Sequence, residues 1–138
     1  MEGRRVFARR GPFEKSDRVG HLFRSESLIS TFSDLGVPAA YNEVLSRQGI
    51  TEPLTIQTAT IPAALQRRDI CGKAPTGSGK TLAFGIPLVV NTERSLPRRP
   101  KSLVLVPTRE LASQVHEVLG DLLGHERKRV VSIFGGTG

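Results

Sequence analysis

The part of this sequence best suited to chemistry is a glycine-rich octapeptide between a short apolar segment and a longer apolar helical pattern. Gly77 and Gly79 leave room for backbone N–H groups to approach phosphate oxygens, and a helix that begins here adds the positive end of its dipole. Lys80 would then contact the outer phosphates, and the Thr81 hydroxyl would join the shell of a Mg²⁺ ion. The spacing predicts a nucleotide-phosphate site, with a glycine-rich turn that binds nothing as the alternative. The eight residues are Ala74, Pro75, Thr76, Gly77, Ser78, Gly79, Lys80 and Thr81.

A phosphate loop of this kind needs a strand before it and a helix after it. We predict a short strand over residues 70–73 and a helix over residues 80–91. Residues 102–106 have the composition of a buried, parallel-type strand, and residues 130–134 are predicted as a third strand. Between these two segments, apolar residues from Leu111 onward repeat at helical spacing. The alternation of strands and helices predicts an α/β fold with a parallel sheet.

The residues upstream of the loop divide into two parts. Residues 1–31 hold seven basic and four acidic residues without a sustained apolar period, which predicts a flexible basic arm. An ordered lobe is expected over residues 32–138. Its first helices are predicted at residues 37–48 and 55–66, with a kink at Pro62 in the second.

Composition limits the class of protein. The length of 138 residues is typical of one domain, and 20 basic against 13 acidic residues give a net charge of +7. Fifteen of the 20 are arginines, whose planar fork fits phosphate oxygens, although the charge could serve solubility alone. Cys71 has no second cysteine with which to form an intramolecular disulfide, and no apolar run is long enough to span a membrane. We therefore expect a cytoplasmic protein with a polyanionic partner.

Three further segments make residues 32–138 resemble the N-terminal part of the first RecA-like lobe of a DEAD-box ATP-dependent RNA helicase. Residues 49–57, Gly-Ile-Thr-Glu-Pro-Leu-Thr-Ile-Gln, are similar to the Q motif of that family, with Phe32 upstream. The octapeptide is similar to its motif I. Residues 107–112, Pro-Thr-Arg-Glu-Leu-Ala, match its motif Ia, and Gly135-Gly136 match its double-glycine motif.

The resemblance implies ATP and Mg²⁺ as ligands, with Lys80 and Thr81 as catalytic residues. It implies that Gln57 reads adenine, because a primary amide offers one donor and one acceptor to N6 and N7. It places Phe32 on the adenine face, where stacking is worth about 1–3 kcal/mol per base. Without the family, Gln57 would be a solvated helix residue and Phe32 a core anchor.

The same resemblance implies a second site, for the sugar-phosphate backbone of RNA without regard to base sequence. Thr108 is expected to cap the helix that follows it, and the charged contact would come from Arg109. The alternative for Arg109 is a surface salt bridge to Glu110 or Glu117. The residues assigned to RNA are Pro107, Thr108, Arg109, Gly135 and Gly136.

The chain also departs from the family pattern. Ala74 stands where the strict motif has glycine, Leu54 where the Q motif carries a hydroxyl, and Arg67 where glycine is usual. If residue 67 needs a positive φ, the misfit costs about 1 kcal/mol. No Asp-Glu pair follows an apolar strand in these residues, and the second RecA-like lobe that the family needs is not expected within them. We therefore expect a partial first lobe, with unpaired strands, that alone neither hydrolyses ATP nor separates strands.

Two main hypotheses follow. The first is the ATP-binding and RNA-binding portion of a DEAD-box RNA helicase, which needs its C-terminal lobe for activity. The second is a non-enzymatic, truncated module that binds nucleotide and RNA. A phosphate-loop enzyme unrelated to RNA, such as a small kinase, is disfavoured by the segments at residues 49–57 and 107–112.

Overall fold

A computed structural model describes residues 31–94, 96 and 98–135 of the chain. Apart from Thr31, the predicted basic arm lies outside the described residues, and so does Gly136. All four predicted helices are present, and the three with predicted bounds lie within about two residues of them. They are α1 (Ala39–Arg47), α2 (Thr55–Leu65), α3 (Lys80–Asn91) and α4 (Arg109–Leu123), and a 3₁₀ helix (Gly124–Arg129) follows α4.

The α4 helix begins at the cap expected from the sequence. Thr108 has an extended backbone, and its hydroxyl accepts a hydrogen bond from the Leu111 N–H at 3.2 Å. Glu110 lies in the first turn, where a negative charge favours the helix dipole. At the other end Gly124 has a φ of +55° and ends the helix. The local sequence therefore fixes both ends of α4, and with them the position of Arg109.

The α3 helix is the centre of the lobe, and it packs against both α2 and α4. A β-carbon on Gly85 would lie 3.1 Å from Leu119 Cδ2, so glycine allows α3 and α4 to approach closely. Asn91 Nδ2 donates to the carbonyl oxygen of Ala64 at 3.0 Å and joins the ends of α3 and α2. The shared core contains Phe32, Leu35, Val37, Leu45, Ile61, Ile86, Val89, Val115, Leu119 and Leu122.

The three predicted strands are not paired within the part of the chain that the structure describes. None of the segments 70–73, 102–106 and 130–134 forms a β-strand there. Val104 and Val106 pack on the helical core, whereas Leu103 and Leu105 are 79% and 84% exposed. The expectation that residues 102–106 are buried on both faces is therefore wrong, and the parallel sheet stays a prediction. A strand depends on a hydrogen-bonded neighbour, which apolar composition alone does not provide.

Arg67 adopts the left-handed backbone that the family pattern suggested for this position. Its φ is +61°, and its N–H donates to the Ala64 carbonyl at 2.9 Å, just beyond the end of α2. Residue 67 thus has the positive φ for which a cost of about 1 kcal/mol was expected with arginine. Among the described helices, none combines the length and apolar character that crossing a membrane requires.

Candidate nucleotide and nucleic-acid site

The glycine-rich loop is folded into a tight turn that leads directly into α3. Gly77 and Gly79 have φ values of +79° and +81°, which side-chain-bearing residues rarely adopt. Ser78 Oγ donates to the Pro75 carbonyl at 2.7 Å and closes the turn. A β-carbon at Gly77 would meet nothing within 4 Å, whereas one at Gly79 would lie 2.4 Å from Gln57 Nε2. Gly77 therefore borders open space, and Gly79 is held against α2.

The start of α3 has the features of an anion site. Gly79 is the N-cap, and no side chain accepts a hydrogen bond from the first turn of the helix. Lys80 Nζ donates to the carbonyl oxygens of Ala74 at 2.7 Å and Pro75 at 2.6 Å, which holds the ammonium group over the loop. Uncapped N–H groups, a helix dipole and an ammonium group together suit phosphate oxygens. The residues present therefore fit a nucleotide phosphate.

Thr81 follows Lys80 in the first turn of α3 and is partly buried. Within the described residues its hydroxyl has no hydrogen-bond partner, which leaves it free to join a Mg²⁺ shell. The same residues contain no group of three or more His, Cys, Asp or Glu side chains that could hold a metal. A Mg²⁺ ion here would consequently depend on the phosphates of its nucleotide, on water and on Thr81.

Gln57 links α2 to the phosphate loop. Its Oε1 accepts from the Leu54 N–H at 2.8 Å, and its Nε2 donates to the Gly79 carbonyl at 3.1 Å. The amide keeps one N–H and one lone pair beyond these bonds, which are the groups that adenine would need. The side chain is only 1% exposed, so the solvated alternative for Gln57 does not hold. Its assignment to adenine stays a prediction, and its contact with the loop is an added role.

Phe32 lies in the hydrophobic core rather than on an open surface. It is 3% exposed, in the turn that precedes α1. Asp34 fixes this turn by accepting from the backbone N–H and the hydroxyl of Thr31, and these hydrogen bonds lower the pKa of Asp34. The burial fits the core-anchor alternative for Phe32, and stacking on adenine stays a prediction. A cavity of about 530 Å³ between α2 and α3 reaches Lys80 but neither Phe32 nor Gln57.

Arg109 and the first of the paired glycines meet in space, although they are 26 residues apart. Arg109 Nη2 donates to the Gly135 carbonyl, and the guanidinium carbon lies 5.0 Å from the centroid of the Phe134 ring. In the described part of the chain, Arg109 forms no ion pair with Glu110 or Glu117. The structure thus brings together three of the residues predicted for RNA, namely Thr108, Arg109 and Gly135, at the N-terminal end of α4.

Two residues of these sites were not assigned a role there by the sequence. Leu54 packs its Cδ1 against the backbone of Gly79, where a β-carbon would be 2.8 Å away. Phe134 supplies the ring beneath Arg109. The sequence did offer a signal for Leu54, because it occupies the position at which the Q motif usually has a hydroxyl-bearing residue. Nothing in a single sequence pairs Phe134 with Arg109, because only the return of the chain after α4 brings them together.

Comparison with known proteins agrees with this arrangement. The family model described as DEAD/DEAH box helicase matches residues 54–138. The ATP-dependent RNA helicase DeaD of Escherichia coli is 47% identical over 108 residues, which cover 78% of this chain and 17% of DeaD. The DEAD-box ATP-dependent RNA helicase CshA of Geobacillus kaustophilus is 44% identical over 110 residues, which cover 78% of this chain and 23% of CshA.

Among solved structures, the RNA helicase Prp28 from Chaetomium thermophilum bound to ADP superposes with a TM-score of 0.67 at 40% identity. That match covers 76% of this chain and 26% of the Prp28 chain. The chain thus spans about a fifth of the length of DeaD and CshA. The matching family model covers most of the sequence and includes the loop, α3 and α4. The chain therefore belongs to the DEAD/DEAH box helicase family.

Proposed function

We propose that residues 32–138 form the ATP-binding and RNA-binding part of a DEAD-box ATP-dependent RNA helicase. The observation that carries the proposal is the loop at the start of α3, where Lys80 covers two loop carbonyls and no side chain caps the helix. In this role Lys80 exchanges the carbonyls of Ala74 and Pro75 for phosphate oxygens, which are charged and therefore stronger acceptors. The relatives that carry ATP-dependent RNA helicase names, and Prp28 bound to ADP, support the choice of nucleotide.

Bound ATP would supply the phosphoryl group, and bound Mg²⁺ would neutralise charge on its phosphates. The residues of this chain bind and orient those groups. The backbone at Gly77 admits the phosphates, Lys80 places a positive charge beside them, and Thr81 offers an oxygen to the metal shell. Gln57 holds the Gly79 carbonyl, and thereby the start of α3, in place.

The RNA site of the proposal lies at the N-terminal end of α4. The Thr108 hydroxyl accepts a hydrogen bond from the Leu111 N–H, so the role of Thr108 is to position the start of α4. Arg109 is an exposed residue whose guanidinium is held by the Gly135 carbonyl and the Phe134 ring. A fixed guanidinium binds phosphate with little loss of conformational entropy. Because these groups contact the backbone of RNA, binding should not depend on base sequence.

A fluorescent ADP analogue tests the nucleotide site. The 138-residue chain should bind the analogue, and ADP should displace it more effectively than GDP. Lys80→Ala should abolish this binding while leaving RNA affinity nearly unchanged, and Thr92→Ala, beyond the far end of α3, is the matched control. Equal displacement by ADP and GDP would contradict the assignment of Gln57 to adenine. Loss of both nucleotide and RNA binding in Lys80→Ala would indicate misfolding, which far-UV circular dichroism detects.

The second part of the proposal is that these 138 residues do not hydrolyse ATP alone. They contain no Asp-Glu pair after an apolar strand, so Thr81 would contact the Mg²⁺ shell without the carboxylates that hold this shell and position the attacking water. Phosphate release in the presence of ATP, Mg²⁺ and RNA should match that of the Lys80→Ala variant. Release above that baseline would overturn this part and leave the binding proposal standing.

A further inference from the structure

The positive charge of the lobe is concentrated in one region. Residues 32–138 contain 13 basic and nine acidic residues, and seven of the 13 basic residues fall within 94–101 and 127–129. Only Glu93, Asp121 and Glu126 lie beside them. The rest of the lobe has six basic and six acidic residues, so it is balanced. We name the seven the distal basic surface: Arg94, Arg98, Arg99, Lys101, Arg127, Lys128 and Arg129.

Specific contacts join the two segments that carry this charge. Glu126 accepts from Arg94 and from Arg129, the latter at 2.6 Å. Arg129 Nη2 also donates to the Thr92 carbonyl at 3.2 Å, at the end of α3. Lys101 and Arg129 line one cavity of about 120 Å³. The connection after α3 and the 3₁₀ helix after α4 therefore form one surface.

Most of these charges are not neutralised by the protein. Arg94 and Arg129 share a single carboxylate, and only Arg127 has a carboxylate to itself, Asp121 at 3.0 Å. In the described structure the remaining four basic side chains form no ion pair. All four residues are exposed: Arg98, Arg99, Lys101 and Lys128. Several cations that lie together without partners attract a polyanion more strongly than scattered charges do.

The distal basic surface is separate from the RNA site already described. Arg109 is at the N-terminal end of α4, and the surface is at the C-terminal end, 15 residues away. At 1.5 Å per residue the two ends are about 22 Å apart. Basic residues beyond a helix C-terminus also favour the helix dipole. That effect accounts for charges in or next to the last turn, and it leaves Arg98, Arg99 and Lys101 unexplained.

We propose that the distal basic surface is a second RNA-backbone site, which binds the same RNA beyond its contact with Arg109. The choice of RNA over other polyanions rests on the proposed function. Residues 92–102 and 120–130 contain no Phe, Tyr or Trp. Protein interfaces favour aromatic anchors beside arginine, and base stacking needs an aromatic ring. Phosphate contact through arginine and lysine requires neither, and it adds affinity without base specificity.

Fluorescence anisotropy of a labelled single-stranded RNA, measured at about 50–200 mM salt, tests the proposal. The surface variant is Arg98→Gln/Arg99→Gln/Lys128→Gln, which disturbs no ion pair of the described structure. The matched control, Arg47→Gln/Arg67→Gln/Arg68→Gln, removes the same charge from the balanced part of the lobe. Each lost phosphate contact flattens the log–log salt slope by about 0.7, so the surface variant should lose about 2 units of slope. The control should keep the slope of the parent chain.

The other outcomes separate the two proposals. If the salt slope flattened equally in the surface variant and in the control, the net charge of the chain alone would explain the effect, and this inference would be overturned. No flattening in the surface variant, with clear loss in Arg109→Gln, would overturn it while the proposed function stands. Loss in the surface variant with none in Arg109→Gln would support it and count against the site at α4. Displacement of the RNA by polyglutamate as readily as by unlabelled RNA of equal charge would identify an acidic protein as the partner instead.

Discussion

Replacement of Gly79 by alanine should destabilise the lobe more than the same change at Gly77. Both glycines have φ near +80°, so both variants carry the left-handed penalty of about 1–2 kcal/mol. Only at Gly79 would the new β-carbon collide, at 2.4 Å from Gln57 Nε2 and 2.8 Å from Leu54 Cδ1. Gln57 would then lose its bond to the Gly79 carbonyl while still buried, which costs about 1–3 kcal/mol more.

Urea unfolding followed by far-UV circular dichroism measures both costs. We expect a loss of about 1–2 kcal/mol for Gly77→Ala and about 2–5 kcal/mol for Gly79→Ala. A double-mutant cycle with Gln57→Ala isolates the amide contact, because without the amide the cost of Gly79→Ala should fall toward that of Gly77→Ala and exceed it only by the collision with Leu54. Equal costs for the two alanine variants in the parent chain would refute the claim that Gln57 holds the loop.

Three further predictions concern the ends of helices and an ion pair. Thr108→Ala should cost about 1 kcal/mol in urea unfolding because the Leu111 N–H loses its cap, and Thr108→Ser should retain most of the stability. Arg67→Gly should raise the midpoint of thermal unfolding. Glycine removes the strain of the left-handed backbone at residue 67, and this gain exceeds the cost of the more flexible unfolded chain by up to about 1 kcal/mol. A lower midpoint would contradict this prediction. The hydrogen bond from Arg129 lowers the pKa of Glu126 below its ordinary 4.5. The contribution of this carboxylate to the free energy of unfolding is therefore complete well above pH 4.5, and it is lost as the pH falls through the lowered pKa of Glu126 in the folded state. Unfolding of Glu126→Gln should lack that acid-dependent loss, and identical pH profiles would argue against the pair.

The helices and the phosphate loop were predictable because their signals are local. Gly79 and Lys80 lie at a helix start that three or four neighbouring residues determine, and Thr108 caps the helix that begins one residue later. The positive φ at Arg67 was predictable only through the family pattern, since arginine itself gives no such signal. Contacts between segments were not predictable, because no rule of spacing brings Gln57 to Gly79 or Arg109 to Phe134.

The three segments predicted as strands show what an apolar pattern cannot predict, namely whether a second face is covered. A run such as Leu103 to Val106 indicates that one face packs on a core, and Val104 and Val106 do so. Whether the other face is covered depends on a neighbour whose position the run does not encode. Leu103, Leu105, Val131 and Ile133 are each at least 75% exposed, and all belong to predicted strands.

The same reasoning explains why the phosphate loop and Arg109 are held in place without the sheet that was expected to position them. The phosphate loop is held by Gln57 from α2, and Arg109 by the cap at Thr108 and the carbonyl of Gly135. None of these bonds belongs to a strand ladder. Helix ends and side-chain hydrogen bonds therefore suffice to fix the positions of the charged groups, whatever pairs with residues 102–106.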